Sequence, residues 1–98
     1  MGSQKVLSDE ELRQHAAKAP EWKVVDRHHL SREFQFPDFQ RALDFVNRVG
    51  AVAEQQGHHP DIQLGWGRAV IETWTHDAGG ITGKDFQLAA AIDHLSAK

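Results

Sequence analysis

His58-His59-Pro60, Trp74-Thr75-His76-Asp77 and Asp85 concentrate the groups in this chain best able to do chemistry. These segments bring three imidazoles and two carboxylates, His58, His59, His76, Asp77 and Asp85, within 28 residues. Histidine is the side chain that can give and take a proton near neutral pH without special tuning. Imidazoles beside carboxylates are what general acid–base catalysis requires. The same residue types also hold zinc or iron, so two chemistries are open. Recognised histidine-pair metal motifs place their ligands at i and i+4 on a helix, whereas His58 and His59 are neighbours and do not converge easily on one ion. Acid–base work without a metal is therefore the preferred reading.

Local positions give these residues partners and also plainer explanations. Glu54 and His58 are four apart at a helix end, where they could share a face and the carboxylate could orient the ring. On an extended backbone His58 and His59 point in opposite directions, and Pro60 restricts His59 to that geometry. Against this, a histidine ending a helix commonly just faces the helix dipole. Asp85 has the spacing of a capping-box acid, and spacing alone favours that role. Trp66 and Trp74 read as core or edge-strand aromatics. His15, His28, His29 and His94 lack comparable neighbours and read as surface residues.

The elements that must hold these groups follow from capping signals and periodicity. Ser8-Asp9-Glu10-Glu11 is a capping box opening a short helix that must end before Pro20. Trp22–Val25 is a strand candidate, and Asp26-Arg27-His28 a turn. Leu30, Arg32, Phe34 and Phe36 alternate with Ser31, Glu33 and Gln35, the period of a second strand paired with the first. Asp38 caps a long helix whose apolar stripe includes Phe39, Ala42, Leu43, Phe45, Val46, Val49, Val52 and Ala53, and Gly57 ends it. Gly50 within that helix costs roughly 1 kcal/mol relative to alanine, and close packing of another backbone is one reason for it to be there. A short strand at Asp61–Leu64, the Gly65-Trp66-Gly67 turn and a strand over Arg68–Thr75 come next. A loop at Gly79-Gly80 leads to Thr82-Gly83-Lys84-Asp85, which starts a last helix with Phe86, Ala89, Ala90 and Leu95 on its apolar side. The order α-β-β-α-β-β-α predicts an α+β fold, three helices on one face of a four-stranded antiparallel sheet.

Composition bounds the function classes. With 98 residues, 40% hydrophobic and 26% charged, the chain is sized and composed for one globular domain over 1–98. A net charge of -3 and a pI of 6.1 argue against non-specific nucleic-acid binding. No cysteine is present, which excludes disulfides, zinc–thiolate sites and thiol nucleophiles. No apolar run approaches a membrane span, and no signal-peptide core follows the N-terminus, so a cytoplasmic location without membrane contact is expected. Met1-Gly2 begins like a myristoylation signal, but Val6 stands where that motif wants Ser or Thr.

Glu54, three residues, His58-His59-Pro60, five residues, Trp66, nine residues, His76, eight residues, Asp85: in this order and spacing the chain resembles the pterin-4a-carbinolamine dehydratases. Leu7-Ser8-Asp9-Glu10-Glu11, Phe34-Gln35-Phe36 with Phe39, Ala42–Arg48 and Trp74–Gly80 extend the resemblance from about Leu7 to Leu95. It implies a hydro-lyase that dehydrates 4a-hydroxytetrahydropterin to quinonoid dihydropterin, recycling the pterin spent by aromatic amino-acid hydroxylases. It implies no metal and no other cofactor. The active-site residues it implies are His58, His59 and His76, supported by Asp85 and Glu54. Glu54, Gly57-His58-His59 and Trp74-Thr75-His76-Asp77 are the implied substrate-contacting residues. Homodimers paired through edge strands, or homotetramers, are also implied, as is a functional link to a hydroxylase. The alternative is a non-catalytic module that binds pterin or serves as dimerisation cofactor for a transcription factor. Two departures stand out: Gly57 precedes the histidine pair where some relatives have a polar residue, and Trp74 replaces a small residue of animal relatives.

Overall fold

The computed structural model describes residues 5–96, so Met1-Gly2 lies outside the described residues. Seven elements appear in the expected order: α1 (Asp9–Ala17), β1 (Lys23–Val25), β2 (His29–Gln35), α2 (Phe39–Gln56), β3 (Asp61–Gly65), β4 (Arg68–Thr73) and α3 (Gly83–Ser96). The strands form one antiparallel sheet in the order β1-β2-β4-β3. Strand β4 therefore inserts between two strands that precede it, and α2 carries the chain from β2 to the far edge.

The predicted caps of α1 and α2 both form. Ser8 accepts from the Glu11 amide at 3.2 Å, and Glu11 Oε1 accepts from the Ser8 amide at 2.9 Å, closing the capping box of α1. Asp38 accepts from the Arg41 amide at 2.8 Å and starts α2. The β1–β2 hairpin turns through Asp26 and Arg27, both left-handed at φ 53° and 57°, and the His28 amide closes it on the Val25 carbonyl at 2.8 Å. Two successive positive φ values give a turn whose twist suits a hairpin.

Register explains the core. Leu30 faces Thr73, Arg32 faces Ile71 and Phe34 faces Ala69, while Ile62 and Leu64 lie opposite Ile71 and Ala69. These side chains share one face, and there Leu30, Phe34, Ala69 and Ile71 pack with Leu12 of α1, Phe45, Val49 and Ala53 of α2, and Leu88, Ala89 and Ile92 of α3. All three helices thus contribute to one core on one face of the sheet. Asp93 of α3 ties helix to sheet, its Oδ1 accepting from Arg32 at 2.5 Å and from the Trp22 indole at 2.8 Å.

Some expectations change in detail. Strand β4 ends at Thr73, and Thr75 makes only an isolated bridge to Gly80. Phe36 lies beyond β2, and Phe39 is exposed at the first turn of α2. Ala90 is exposed on α3, whose buried side is Asp85, Phe86, Leu88, Ala89 and Ile92. Trp66, read as a core or edge-strand aromatic, stands 70% exposed at the tip of the β3–β4 turn. Its flank Gly67 is required there, because an added Cβ would lie 2.7 Å from the Phe36 carbonyl oxygen. Gly50 has the opposite character: among the described residues nothing beyond its chain neighbours and its own helix backbone lies within 4 Å of where its Cβ would be, so no close packing of another element explains it.

That open space makes Gly50→Ala an expected gain of about 0.5–1 kcal/mol in urea unfolding, because alanine has fewer unfolded conformations to lose. Ile71→Ala, in the centre of the sheet, should instead cost about 2–5 kcal/mol in the same experiment. The α1 capping box gives a pH signature. Bonding to the Ser8 amide, then to its hydroxyl, holds the exposed Glu11 carboxyl below its ordinary 4.5. Its stabilisation is full above pH 4.5 and is lost as pH falls through the lowered folded value. The stability difference between the protein and Glu11→Ala should therefore shrink across that acidic range, as thermal melts at stepped pH would record.

Candidate active site

Three element ends meet around one carboxylate. The first is the C-terminus of α2, where Gly57 adopts the left-handed conformation at φ 64°. The Gly57 amide bonds to the Glu54 carbonyl at 3.3 Å and the His58 amide reaches back to the Ala53 carbonyl at 3.1 Å. This is a Schellman-type ending, which needs a residue free to take positive φ. It lifts His58 off the helix face. The second end is β4, where Thr73 is the last strand residue and Thr75 follows. The third is the N-terminus of α3, where Thr82 occupies the cap position and Asp85 the first turn.

Asp85 is fully buried, at 0% exposure, and no lysine or arginine is paired with it among the described residues. Its charge is met by four donors instead. His58 Nε2 lies 2.5 Å from Oδ1, and the Thr73 hydroxyl donates to the same oxygen at 2.6 Å. The other oxygen, Oδ2, accepts from the Thr75 hydroxyl and from the Thr82 amide, each at 2.9 Å. Thr75 and Thr82 also share a hydroxyl–hydroxyl bond of 2.7 Å. An ionised carboxylate only accepts, so Nε2 of His58 carries the proton in this pair and Nδ1 is the ring nitrogen left for another partner. Asp85 thus fulfils the capping role that spacing favoured, through the Thr82 amide, and anchors His58 with its other oxygen.

The neighbouring histidine is held differently. Glu54 was expected to face His58, yet it bonds His59, with Oε2 2.5 Å from Nε2. The Schellman ending turns His58 inward to an 11% exposed side chain, while the extended backbone before Pro60 sends His59 outward to 60%. Glu54 itself is 77% exposed, so this pair works in water and contributes at most about 1 kcal/mol.

His76 sits in the turn from Thr75 to Gly80, closed by the Thr75 amide on the Gly80 carbonyl at 2.8 Å and by the Gly79 amide on the Thr75 carbonyl at 2.9 Å. Gly79 takes φ 75° there. The His76 ring lies nearly parallel to the Trp74 indole, at 4.7 Å between centroids and 19° between planes. Behind that indole stand His28 and His29, at 5.1 and 5.7 Å. His29 is half-buried, with Nε2 3.5 Å from Glu72, and so is more than the surface residue its sequence context suggested.

Gly57, His58, His59, Trp74, Thr75, His76 and Asp77 all line one open cleft of about 270 Å3, together with Lys84. Every substrate-contacting residue implied by the sequence is brought to this cleft except Glu54, which reaches it only through His59. Thr75 turns its hydroxyl away into the carboxylate network. Thr73, Thr82 and Lys84 went unrecognised as site residues in the sequence. A threonine ending a β-strand looks like ordinary strand composition, and only Thr82 carried a signal, as the cap of the last helix. A larger groove of about 600 Å3 between α1 and α3 is bordered by Ala19, Phe86 and Ala90. Its one imidazole, His15, is already stacked on Phe86. Chemistry rather than volume therefore singles out the histidine cleft. Among the described residues no three His, Asp or Glu side chains are arranged to hold a metal ion.

Comparison with known proteins places the chain in a family. The profile of the family described as pterin 4 alpha carbinolamine dehydratase matches residues 5–95. The chain belongs to that family. A protein of Rubrobacter xylanophilus, provisionally named a pterin-4-alpha-carbinolamine dehydratase, is 56% identical over 89 residues, covering 91% of this chain and 83% of its own. One from Chloroflexus aggregans with the same provisional name is 45% identical, covering 91% and 95%. Among solved structures, a transcriptional coactivator/pterin dehydratase from Brucella melitensis superposes with a TM-score of 0.86 at 28% identity, over 91% of this chain and 96% of that one. A pterin dehydratase-like RuBisCO assembly factor of the alpha-carboxysome shares the fold, with a TM-score of 0.60 at 24% identity over 71% and 81%.

The contrast between the two carboxylate–histidine pairs is measurable. Asp85→Ala leaves His58 and three buried donors without their acceptor and should cost about 3–5 kcal/mol. Glu54→Ala, whose partner stays solvated, should cost no more than about 1 kcal/mol. Equal losses for the two variants in urea unfolding would contradict this account of the site.

Proposed function

We propose that this protein is a 4a-hydroxytetrahydropterin dehydratase, a hydro-lyase using histidine acid–base catalysis. The supporting observation is that His58, anchored through Nε2 on a buried carboxylate, shares one cleft with His76. The sequence family makes a pterin the fitting substrate. The cleft volume is near the lower end for small-molecule sites, which suits a flat bicyclic ring.

In the reaction the C4a–O bond breaks and the oxygen leaves as water, taking a proton from an imidazolium. A neutral imidazole removes the proton from the adjacent ring nitrogen, and the electron pair released forms the C=N bond of the quinonoid dihydropterin. His58 and His76 are the acid–base pair in this reading. Asp85 keeps the proton of His58 on Nε2, leaving Nδ1 as the nitrogen that exchanges with substrate. His59 positions the pterin, backed by Glu54. Asp77 and the Gly57 backbone supply polar contacts to the amino-pyrimidinone edge. The Trp74 indole, where animal relatives carry a small residue, forms a wall that narrows the choice of pterin side chain. The reaction needs no further cofactor. It would return the spent pterin of an aromatic amino-acid hydroxylase to its reductase, in the cytoplasm, from a homodimer or homotetramer.

The name of the Brucella neighbour joins dehydratase to coactivator, which supports a second reading as a regulatory module with the same fold. Turnover separates the two. With freshly generated 4a-hydroxytetrahydropterin, the protein should exceed the spontaneous rate, and His58→Ala and His76→Ala should each lower kcat by about 10²–10⁴-fold, measured at a temperature where circular dichroism shows each variant folded. The double variant should fall to the spontaneous rate. Turnover that survives in the double variant would remove both residues from the mechanism, and a wild-type rate equal to background would favour the regulatory reading.

A further inference from the structure

We propose that Thr73 is a positioning residue for His58, acting through Asp85 rather than on substrate. The inference rests on the dehydratase reading for its kinetic consequence, but not for its structural one. Thr73 is 0% exposed at the end of β4 and is not among the residues lining the cleft. Its hydroxyl donates to Asp85 Oδ1 at 2.6 Å, the oxygen that His58 Nε2 approaches at 2.5 Å.

The two oxygens of Asp85 differ in how they are held. Oδ2 has two donors independent of the histidine, the Thr75 hydroxyl and the Thr82 amide. The first is braced by the Thr75–Thr82 hydroxyl bond, and the second belongs to the main chain. Among the described residues Oδ1 has only Thr73 besides His58. Without that hydroxyl its place is set by the ring it is meant to orient, and the sheet no longer defines the direction of the Nε2–Oδ1 bond. The hydroxyl also shares the negative charge of Oδ1, so it moderates how strongly the carboxylate draws the His58 proton. Other charged or titratable groups sit farther out on the same cleft: Lys84 on α3, His76 and Asp77 in the turn after β4, and His59 paired with Glu54 of α2. None has a hydrogen bond to Asp85 among the described residues.

The test compares Thr73→Val, which keeps the β-branched shape and drops the donor, with Thr73→Ser, which keeps the donor. In protein labelled with 15N-histidine, the His58 Nε2–H proton should move downfield in the valine variant, because Oδ1 then has one donor instead of two. It should stay at the wild-type position in the serine variant. With pterin substrate, kcat should fall on the order of ten-fold in Thr73→Val, less than the ~10²-fold that a full ångström of misplacement can cost. KM should change little, and serine should restore kcat. Thr73→Cys serves if valine does not fold, since a thiol is a weak donor, and it should behave as valine does. Unchanged His58 resonances in the valine or cysteine variant would overturn the proposal, as would a serine variant as impaired as valine. If wild-type protein shows no turnover while the resonances respond as expected, the role of Thr73 stands and the dehydratase reading alone fails.

Discussion

A carboxylate shielded from solvent, with no lysine or arginine paired to it among the described residues, is the constraint around which this small domain is arranged. Burying an unpaired charge costs far more than the few kcal/mol by which a domain of this size is stable. Asp85 is nonetheless wholly buried. It is tolerated because β4 brings the Thr73 and Thr75 hydroxyls, the loop brings the Thr82 amide, and the end of α2 brings His58. The N-terminus of α3, with its positive dipole end, adds a fourth favourable direction. These groups come from segments separated by up to 27 residues, so satisfying the charge requires the packed helices and the sheet to close on one point. Fold and site are therefore one constraint, and loss of either disturbs the other.

Two carboxylate–histidine pairs of equal length show why geometry alone does not measure importance. Each has a 2.5 Å contact. His58–Asp85 is in a low-dielectric interior with every lone pair engaged, where a missing partner leaves a stranded charge. His59–Glu54 is open to water, which replaces either partner at little cost. A single left-handed glycine separates these fates. By ending α2 at Gly57 the chain turns one imidazole inward, and Pro60 keeps the next one extended and outward.

Much of the scaffold was legible because it depends on local signals. Ser8 with Glu11, Asp38 before Phe39, and Gly57 after Gln56 are boundary residues whose chemistry needs only near neighbours. Alternation from Leu30 to Phe34 gave the buried face of β2 for the same reason. The order β1-β2-β4-β3 was not legible, since nothing in β3 or β4 states which inserts in the sheet. In the site, His58, His59, His76 and Asp85 were visible as unusual residue types, whereas Thr73 was hidden as a common one. The Glu54–His58 pairing failed because helical spacing applies only while the helix continues, and His58 already lies beyond its end. Gly50 misled in the other direction: a glycine inside a helix suggested crowding that the packing does not contain.

The two histidines proposed for acid–base work are fixed by different physics, and that difference suits their task. His58 is oriented by charge, through a hydrogen bond that occupies one ring nitrogen. His76 is exposed and has no side-chain hydrogen bond among the described residues; its ring is stacked flat on Trp74. Stacking orients a ring without consuming either nitrogen. The indole is itself backed by His28 and His29, and His29 by Glu72, so the wall continues from the cleft onto the outer face of the sheet. Aromatic packing across strand ends thus does for His76 what buried electrostatics does for His58. One imidazole has a ring nitrogen tied to a buried carboxylate, and the other is held in place with both ring nitrogens outside any side-chain hydrogen bond among the described residues.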